Sequence, residues 1–204
     1  MLTIFAEMVY ETLIRHQMDV FDNVLVWLVR YLASPELDRA MIVISGYGYG
    51  YPFGTIILVA LLTLAFYRQW LEAAGLIVSL VGEVILNLGF KNLFERSRPD
   101  LFQVVEEAGY SFPSGHAMVS LCFYGMLAFL IARHIQSWRW RLVVIMLAVA
   151  LAGTIGVSRV YLGVHYPTDV VAGYFAGGMW LAFCISLLMW WEQRQLRKNE
   201  NKAT

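Results

Sequence analysis

Five long apolar runs constrain this chain more than any other feature of its sequence. They lie at residues 52–67, 71–90, 117–132, 141–158 and 170–191. A helix needs roughly 20 mostly apolar residues to cross the hydrocarbon core of a bilayer. Hydrophobic residues make up 59% of the chain and charged residues only 15%, against about 45–50% and about 25% in soluble domains. The sequence therefore predicts an all-α, polytopic membrane helical bundle with about five to six transmembrane helices.

Composition and pattern also exclude other classes. A membrane β-barrel would show alternating strands of about ten residues, whereas these apolar runs are continuous. The formal net charge is zero, which argues against a basic surface for nucleic acid. Composition therefore predicts the lipid bilayer as a partner and no nucleic acid.

The N-terminal segment differs from the rest of the chain. Residues 1–50 interleave apolar and charged side chains, which is typical of an amphipathic or partly membrane-embedded segment. The glycine-rich stretch 41–51 either lengthens the first apolar helix or forms a broken turn before it. The expected organisation is this segment, a transmembrane core at 51–191, and a polar tail at 192–204.

Basic residues in the connections predict the orientation, because cytoplasmic loops carry an excess of lysine and arginine. Successive spans cross the membrane in opposite directions, so the connections after the first and third apolar runs lie on the same side as the C-terminal tail. This side carries most of the basic residues and should be cytoplasmic. These residues are Arg68, Arg133, Arg139, Arg141, Arg194, Arg197, Lys198 and Lys202. The opposite, extracytoplasmic side receives the connections that follow the second and fourth apolar runs.

Polar residues at this second side fall at the ends of the predicted helices. They are Lys91, Arg98, Ser114, Gly115, His116, Arg159, His165 and Asp169. Arginine and lysine suit phosphate oxygens, and the start of the helix after Ser114 is a natural anion site. The gathered cations therefore predict a site for a strongly anionic group.

The two histidines have natural chemical tasks beside such an anion. Asp169 follows His165 by four residues, and a carboxylate that holds one imidazole nitrogen raises the basicity of the other. Such an imidazole is a competent nucleophile toward phosphorus. His116 is then the candidate general acid, with Lys91, Arg98 and Arg159 stabilising charge on the phosphoryl oxygens.

Three segments carry a resemblance to a known family. They are KNLFERSRP (residues 91–99), PSGH (residues 113–116) and SRVYLGVHYPTD (residues 158–169). Together they resemble the three-part signature of the type-2 phosphatidic acid phosphatase superfamily, in the family's order and with its spacings. The resemblance covers about residues 52–191 and points to the integral-membrane lipid phosphatase branch. Members of that branch usually have six spans, so the first span is missing here or reduced to residues 1–50.

The resemblance implies hydrolysis of a terminal phosphate from a lipid phosphate or diphosphate, without a metal or other cofactor. His165 would be the nucleophile, forming a phosphohistidine, with Asp169 its partner and His116 the acid. Lys91, Arg98, Ser114, Gly115 and Arg159 would bind the phosphate. Candidate substrates are undecaprenyl diphosphate, phosphatidylglycerol phosphate, phosphatidic acid and diacylglycerol diphosphate. The expected location is a bacterial inner membrane, with the site facing outward.

Two other functions stay open from the sequence alone. Vanadate-dependent haloperoxidases carry a similar signature, although those relatives are generally larger and soluble. A non-catalytic lipid-binding or transport protein would explain the spans and the cations, but not the spacing of His165 and Asp169.

Four charged residues near the motifs have open or minor roles. Arg96 is considered as a second phosphate contact. Glu83, in the second apolar run, either joins helices through a hydrogen bond or lines the floor of the site. Glu106 and Glu107 are expected on a solvated loop face, with binding of a substrate headgroup cation as the alternative.

Overall fold

The computed structural model describes residues 2–14, 18–100 and 103–203, and every regular element within these ranges is helical. In chain order these are α1 (Leu2–Val9), α2 (Asp19–Tyr31), α3 (Pro35–Gly46), α4 (Tyr51–Phe66), α5 (Trp70–Phe94), α6 (Gly115–His134), α7 (Trp138–Tyr161) and α8 (Pro167–Ala203). A short π-helical turn, Tyr10–Ile14, follows α1. The helix α8 is unbroken, so the polar residues after 191 extend the last apolar helix.

Five helical stretches in the described part of the chain are long and apolar enough to cross a membrane. They are Pro35–Phe66, Trp70–Phe94, Gly115–His134, Trp138–Tyr161 and Pro167–Lys198. Four of them contain one of the predicted apolar runs each, and the first contains all of 52–67 except Tyr67, so the prediction of an all-helical membrane bundle is confirmed. The first stretch joins α3 and α4 across residues 47–50, and a turn with Gly50 at a φ of 94° separates the two helices. Of the two alternatives for the glycine-rich stretch, the broken turn is therefore the one that forms.

Proline and serine set several helix starts. Ser34 caps α3 by accepting a hydrogen bond from the backbone N–H of Leu37 at 3.2 Å, and Pro35 occupies the first turn. Pro52 and Pro167 likewise lie in the first turns of α4 and α8. Proline is favoured there because its missing N–H would have no partner within the helix.

Helix α6 is the centre of the bundle. It packs against α5, α7 and α8, and its Phe123 and Met126 are fully buried. They share an apolar cluster with Leu76 of α5, Ile155 of α7 and Leu188 of α8. The start of α6 is therefore held where the ends of the other three helices meet.

Small residues let α8 approach α6 closely. A β-carbon added at Gly173 would lie 2.7 Å from the carbonyl oxygen of Ser114, and one at Gly177 would lie 2.9 Å from that of Met118. Real β-carbons essentially never come so near to another heavy atom. Glycine at these positions therefore sets the distance between α8 and the start of α6.

The N-terminal helices lie against the same part of the bundle. Helix α1 packs on α8, and α2 packs on α7 and α8. Phe5 of α1 joins an apolar cluster with Phe112, and Val26 of α2 joins one with Ala117. The other face of α2 is exposed and apolar, with Trp27 among its residues.

Candidate active site

All eight residues singled out from the sequence lie at one end of the bundle. The end of α5, the start of α6, the end of α7 and the start of α8 meet there. Lys91 is in the last turn of α5, and Arg98 is in the connection to α6. Ser114 is the N-cap of α6, and Gly115 and His116 are in its first turn. Arg159 is in the last turn of α7, His165 is in the connection to α8, and Asp169 is in the first turn of α8.

Electrostatic interactions show that these residues form one group. Lys91 interacts with Arg98, Arg159 and Asp169. His116 interacts with His165, Lys91 and Arg98. The two imidazoles and the three cations therefore belong to one site and do not lie at opposite membrane surfaces.

His165 and Asp169 are both fully buried and face each other. The distance from Nδ1 of His165 to Oδ2 of Asp169 is 3.6 Å, and the backbone N–H of Tyr166 donates to the same oxygen at 2.9 Å. Burial, and then the cations Arg98, Arg159 and Lys91, hold the pKa of His165 well below its usual value. The imidazole is therefore neutral at physiological pH, with a lone pair available on one nitrogen.

Arg98 lies beside the other nitrogen of this imidazole. Its Nη1 is 3.3 Å from Nε2 of His165 and donates to the carbonyl of Val164 at 2.9 Å. Its Nε donates to the carbonyl of Gly109 at 3.0 Å. Burial lowers the pKa of Arg98, although a guanidinium remains charged at any physiological pH. The loop carbonyls thus orient a fixed positive charge at the nitrogen that would attack a phosphate.

Arg159 is buried and bound by the N-terminal part of the chain. Its Nη1 donates to Oγ of Ser45 in α3 at 2.6 Å. This contact joins residues 114 positions apart, so no local sequence signal points to Ser45. Helix α3 therefore helps to place a cation that the sequence assigns to the site.

The start of α6 offers hydrogen-bond donors to an anion. Within the described residues, Oγ of Ser114 is buried and has no hydrogen-bond partner. A β-carbon at Gly115 would lie 3.0 Å from Oδ1 of Asn87, and Nδ2 of Asn87 donates to the carbonyl of Pro113 at 3.3 Å. Asn87 thus supports the turn before α6, whose first N–H groups have no partners inside the helix.

Glu107 does not lie on a solvated loop face, so that expectation was wrong. Its carboxylate forms ion pairs with Arg98, at 3.3 Å, and with Arg159. Glu106, by contrast, is exposed. The two arginines expected to bind phosphate are therefore bridged by a carboxylate from the connection between α5 and α6.

Arg96 was considered as a second phosphate contact, and the structure gives it different partners. Its guanidinium donates to Asp169 at 2.6 Å and to Asp22 of α2 at 2.8 Å. Asp22 also accepts hydrogen bonds from Thr168. The amphipathic pattern of residues 1–50 gave no reason to single out Asp22, because its partners are 74 and 146 positions away in the sequence.

Two cavities adjoin the site. One of about 500 Å³ is lined by Glu83, Lys91 and Val119, among others, and one of about 340 Å³ by Ile42 and Arg159, among others. Tyr49, Glu107 and His116 line both. Glu83 is 2% exposed, so it lines the floor of the larger cavity, as one of its two expected positions requires. No group of three or more His, Cys, Asp or Glu side chains among the described residues is arranged to hold a metal ion.

Comparisons with known proteins show what this chain is similar to. The model of the PAP2 superfamily matches residues 72–193. Phosphatidylglycerophosphatase B of Bacillus subtilis (strain 168) is 32% identical over 147 residues, which are 72% of this chain and 72% of that protein. Undecaprenyl-diphosphatase of Sulfolobus acidocaldarius is 31% identical over 182 residues, 86% of this chain and 82% of that protein.

Two solved structures have the same fold. The crystal structure of a transmembrane PAP2-type phosphatidylglycerolphosphate phosphatase from Bacillus subtilis superposes with a TM-score of 0.84 at 27% identity, covering 95% of this chain and 94% of that one. Aquifex aeolicus LpxE superposes with a TM-score of 0.67 at 23% identity, covering 81% and 95%. At the lower identity the likeness concerns the fold alone.

Proposed function

Since this chain belongs to the PAP2 superfamily and is a membrane-bound lipid phosphatase, we propose that it removes a terminal phosphate from a lipid phosphate or diphosphate through a phosphohistidine on His165. The observation that carries this proposal is the fully buried imidazole of His165, set between Asp169 and Arg98. A neutral nitrogen beside a fixed cation is suited to attack a negatively charged phosphoryl group.

The first step transfers the phosphoryl group to the enzyme. Nε2 of His165 attacks phosphorus, because Nδ1 faces Asp169. The bond from phosphorus to the lipid oxygen breaks as the bond from phosphorus to nitrogen forms. His116, which enters this step protonated beside the bound anion, gives its proton to the departing oxygen and becomes neutral, while Asp169 stabilises the positive charge that develops on the imidazole of His165.

The second step releases phosphate. A water molecule attacks the phosphohistidine, and His116, now neutral, takes a proton from that water. The bond from phosphorus to nitrogen breaks, and inorganic phosphate leaves. Throughout both steps Lys91, Arg98 and Arg159 offset charge on the phosphoryl oxygens, and the N–H groups at the start of α6 provide further donors.

The surroundings of the site support a lipid as the substrate. The larger cavity has apolar walls at Val84, Leu88 and Val119, beside the polar Lys91. Val84 and Leu88 are also among the exposed apolar residues of α5. A phosphate can bind at the polar end while acyl or prenyl chains lie along these side chains. The phosphate-binding groups recognise no chain, so undecaprenyl diphosphate, phosphatidylglycerol phosphate and phosphatidic acid remain candidate substrates.

We further propose that the site faces the extracytoplasmic side of a bacterial inner membrane. The opposite end of the bundle, together with the tail, carries eight of the fifteen lysine and arginine residues, which favours the cytoplasm for that end. Glu106→Cys and Ser137→Cys test this, because both positions are exposed and lie at opposite ends of the bundle. In intact cells a membrane-impermeant thiol reagent should label the first variant and spare the second. Labelling of only the second would reverse the orientation.

The decisive experiment compares substrates with purified protein in liposomes. The lipid phosphates above should be hydrolysed far faster than a soluble phosphomonoester, and turnover should be unchanged in EDTA. His165→Ala should abolish turnover. His134→Ala is the matched control, since His134 is 59% exposed and lies at the other end of α6. Full activity of His165→Ala, or equal hydrolysis of a soluble ester, would contradict the proposal.

A further inference from the structure

A buried cluster of polar side chains connects helix α2 to Asp169. At its centre is Arg96, whose Nη1 donates to Oδ1 of Asp169 at 2.6 Å and to Oγ1 of Thr168 at 2.8 Å. Its Nη2 donates to Oδ2 of Asp22 at 2.8 Å. The backbone N–H and the hydroxyl of Thr168 donate to Asp22 at 3.1 and 2.5 Å. Helix α2 and the first turn of α8 are thus bound to the same guanidinium.

The burial of this cluster makes each partner depend on the others. Asp22 and Asp169 are 0% exposed, and the side chain of Arg96 is 9% exposed. Buried charges are stable only when they are paired and hydrogen-bonded. Removal of one partner leaves an uncompensated charge on another. The ring of Tyr166 lies 4.3 Å from the guanidinium and limits its movement further.

The contacts of Asp169 show what this arrangement can do for the reaction. Oδ1 is held by Arg96, and Oδ2 accepts from the backbone N–H of Tyr166 and faces Nδ1 of His165. A carboxylate held at both oxygens keeps one orientation. Asp22 also accepts a hydrogen bond from Arg96. The positive charge of this guanidinium is therefore shared between Asp22 and Asp169.

We propose that Asp22 is a positioning residue of this phosphatase, acting through Arg96 to keep the carboxylate of Asp169 oriented toward His165. The proposal rests on the proposed function, because it requires His165 to be the nucleophile. Asp22 is 0% exposed and lines neither of the two cavities that adjoin the site, so it should affect the rate of chemistry and not the binding of substrate. It makes the N-terminal helix α2 a part of the catalytic apparatus.

The test is the variant Asp22→Asn, measured with a lipid phosphate in liposomes. Loss of an outer partner of a catalytic group typically lowers activity about 10–100-fold. We expect kcat to fall by that factor while KM stays within about twofold, because the groups that bind phosphate are unchanged. The rate at which phosphorus-32 from the substrate appears on His165 should fall equally. These samples are quenched in alkali, since phosphohistidine is acid-labile.

Thr168 provides a second, milder variant. Thr168→Val removes the hydroxyl that bonds to both Asp22 and Arg96 and keeps the shape of the side chain. It should lower kcat by a smaller factor, about 3–10-fold, because two hydrogen bonds of the hydroxyl are lost while all the charges of the cluster are kept. Thr168→Ser keeps the hydroxyl and should restore most of the rate.

Asp38→Asn is the matched control for a purely structural effect. Asp38 accepts hydrogen bonds from Arg30 at 2.9 Å and from the hydroxyl of Tyr161 at 2.7 Å, so it too joins an N-terminal helix to the bundle. We expect this variant to lower the unfolding temperature without changing kcat. Equal losses of kcat in Asp22→Asn and Asp38→Asn, in proportion to their losses of stability, would overturn the positioning role.

The labelling experiment separates the two proposals. If the wild-type protein hydrolyses lipid phosphate but never carries phosphorus-32 on His165, the phosphohistidine mechanism fails. If the wild type is labelled and both Asp22→Asn and Thr168→Val are labelled and turn over at the wild-type rate, only the positioning role of Asp22 fails.

Discussion

Glu107 places a carboxylate where a substrate phosphate has to bind. It bridges Arg98 and Arg159 in the resting structure, and its side chain is 26% exposed. A phosphate that uses both guanidinium groups must therefore displace it. Glu107→Gln removes the competing charge while keeping nearly the same shape, so it should make phosphate binding easier.

The size of this effect follows from the two ion pairs. A partly exposed ion pair contributes about 0.2–1 kcal/mol, and Glu107, whose side chain is 26% exposed, forms one with each of the two arginines. We expect Glu107→Gln to lower the free energy of displacement by about 0.4–2 kcal/mol, a factor of about 2–30 in affinity.

Inhibition by inorganic phosphate and by vanadate measures this affinity directly. The inhibition constants of both anions should fall by about 2–30-fold in Glu107→Gln, with a smaller change in kcat. Glu106→Gln is the control, because it removes the same charge from an exposed neighbouring position. Unchanged or weaker inhibition in Glu107→Gln would refute the reasoning and would mean that the carboxylate orients the arginines for phosphate.

Three more predictions follow from particular contacts. Gly173→Ala would bring a methyl group within 2.7 Å of the carbonyl oxygen of Ser114, so we expect a loss of about 1–3 kcal/mol of stability and a lower unfolding temperature; Gly89→Ala, which meets no atom within 4 Å, should cause no such loss. Burial and neighbouring cations lower the pKa of His165 in the folded state, so unfolding takes up a proton below about pH 6.5 and stability is lost there; the unfolding temperature should fall between about pH 6.5 and pH 5, and less steeply in His165→Asn. His116→Ala should slow hydrolysis of lipid phosphates more than that of a nitrophenyl phosphate, because the latter leaving group needs no proton; equal losses for both would contradict a general acid at this position.

The membrane spans could be predicted well because the lipid bilayer restricts long apolar segments to helices. Long continuous apolar runs can be satisfied in a bilayer only by helices, and each predicted run matches one candidate span, with Tyr67 the one predicted residue outside its span. Most helices are a few residues longer at each end than the predicted runs. The run 117–132, for example, lies within the observed helix Gly115–His134. Polar residues and glycine at helix ends are poorly distinguished from loops by hydropathy, whereas tertiary packing extends the helices through them.

The composition of the site could be predicted because its residues follow helix ends. Parity alone places Lys91, His116, Arg159 and Asp169 at one surface, and the structure brings them together there. Their catalytic roles stay predictions until the variants above are measured.

The partners of these residues could not be predicted. Asp22 and Glu107 look like ordinary charges of an amphipathic helix and a loop, yet one is fully buried against Arg96 and the other bridges two arginines. Such pairings depend on how distant segments pack, and local periodicity contains no information about that. Arg96 shows the same limit, because its position between Lys91 and Arg98 favoured a phosphate contact that the carboxylates replace.

The position of the chemistry at one end of the bundle has a consequence for the membrane itself. A lipid headgroup crosses the bilayer slowly without help, because its charge is costly in hydrocarbon. An enzyme with its reactive groups at a single surface therefore draws substrate from one leaflet only and leaves its product there. The distribution of lipids between the two leaflets thus becomes part of its selectivity, and any activity that moves phosphorylated lipids across the bilayer would set its supply.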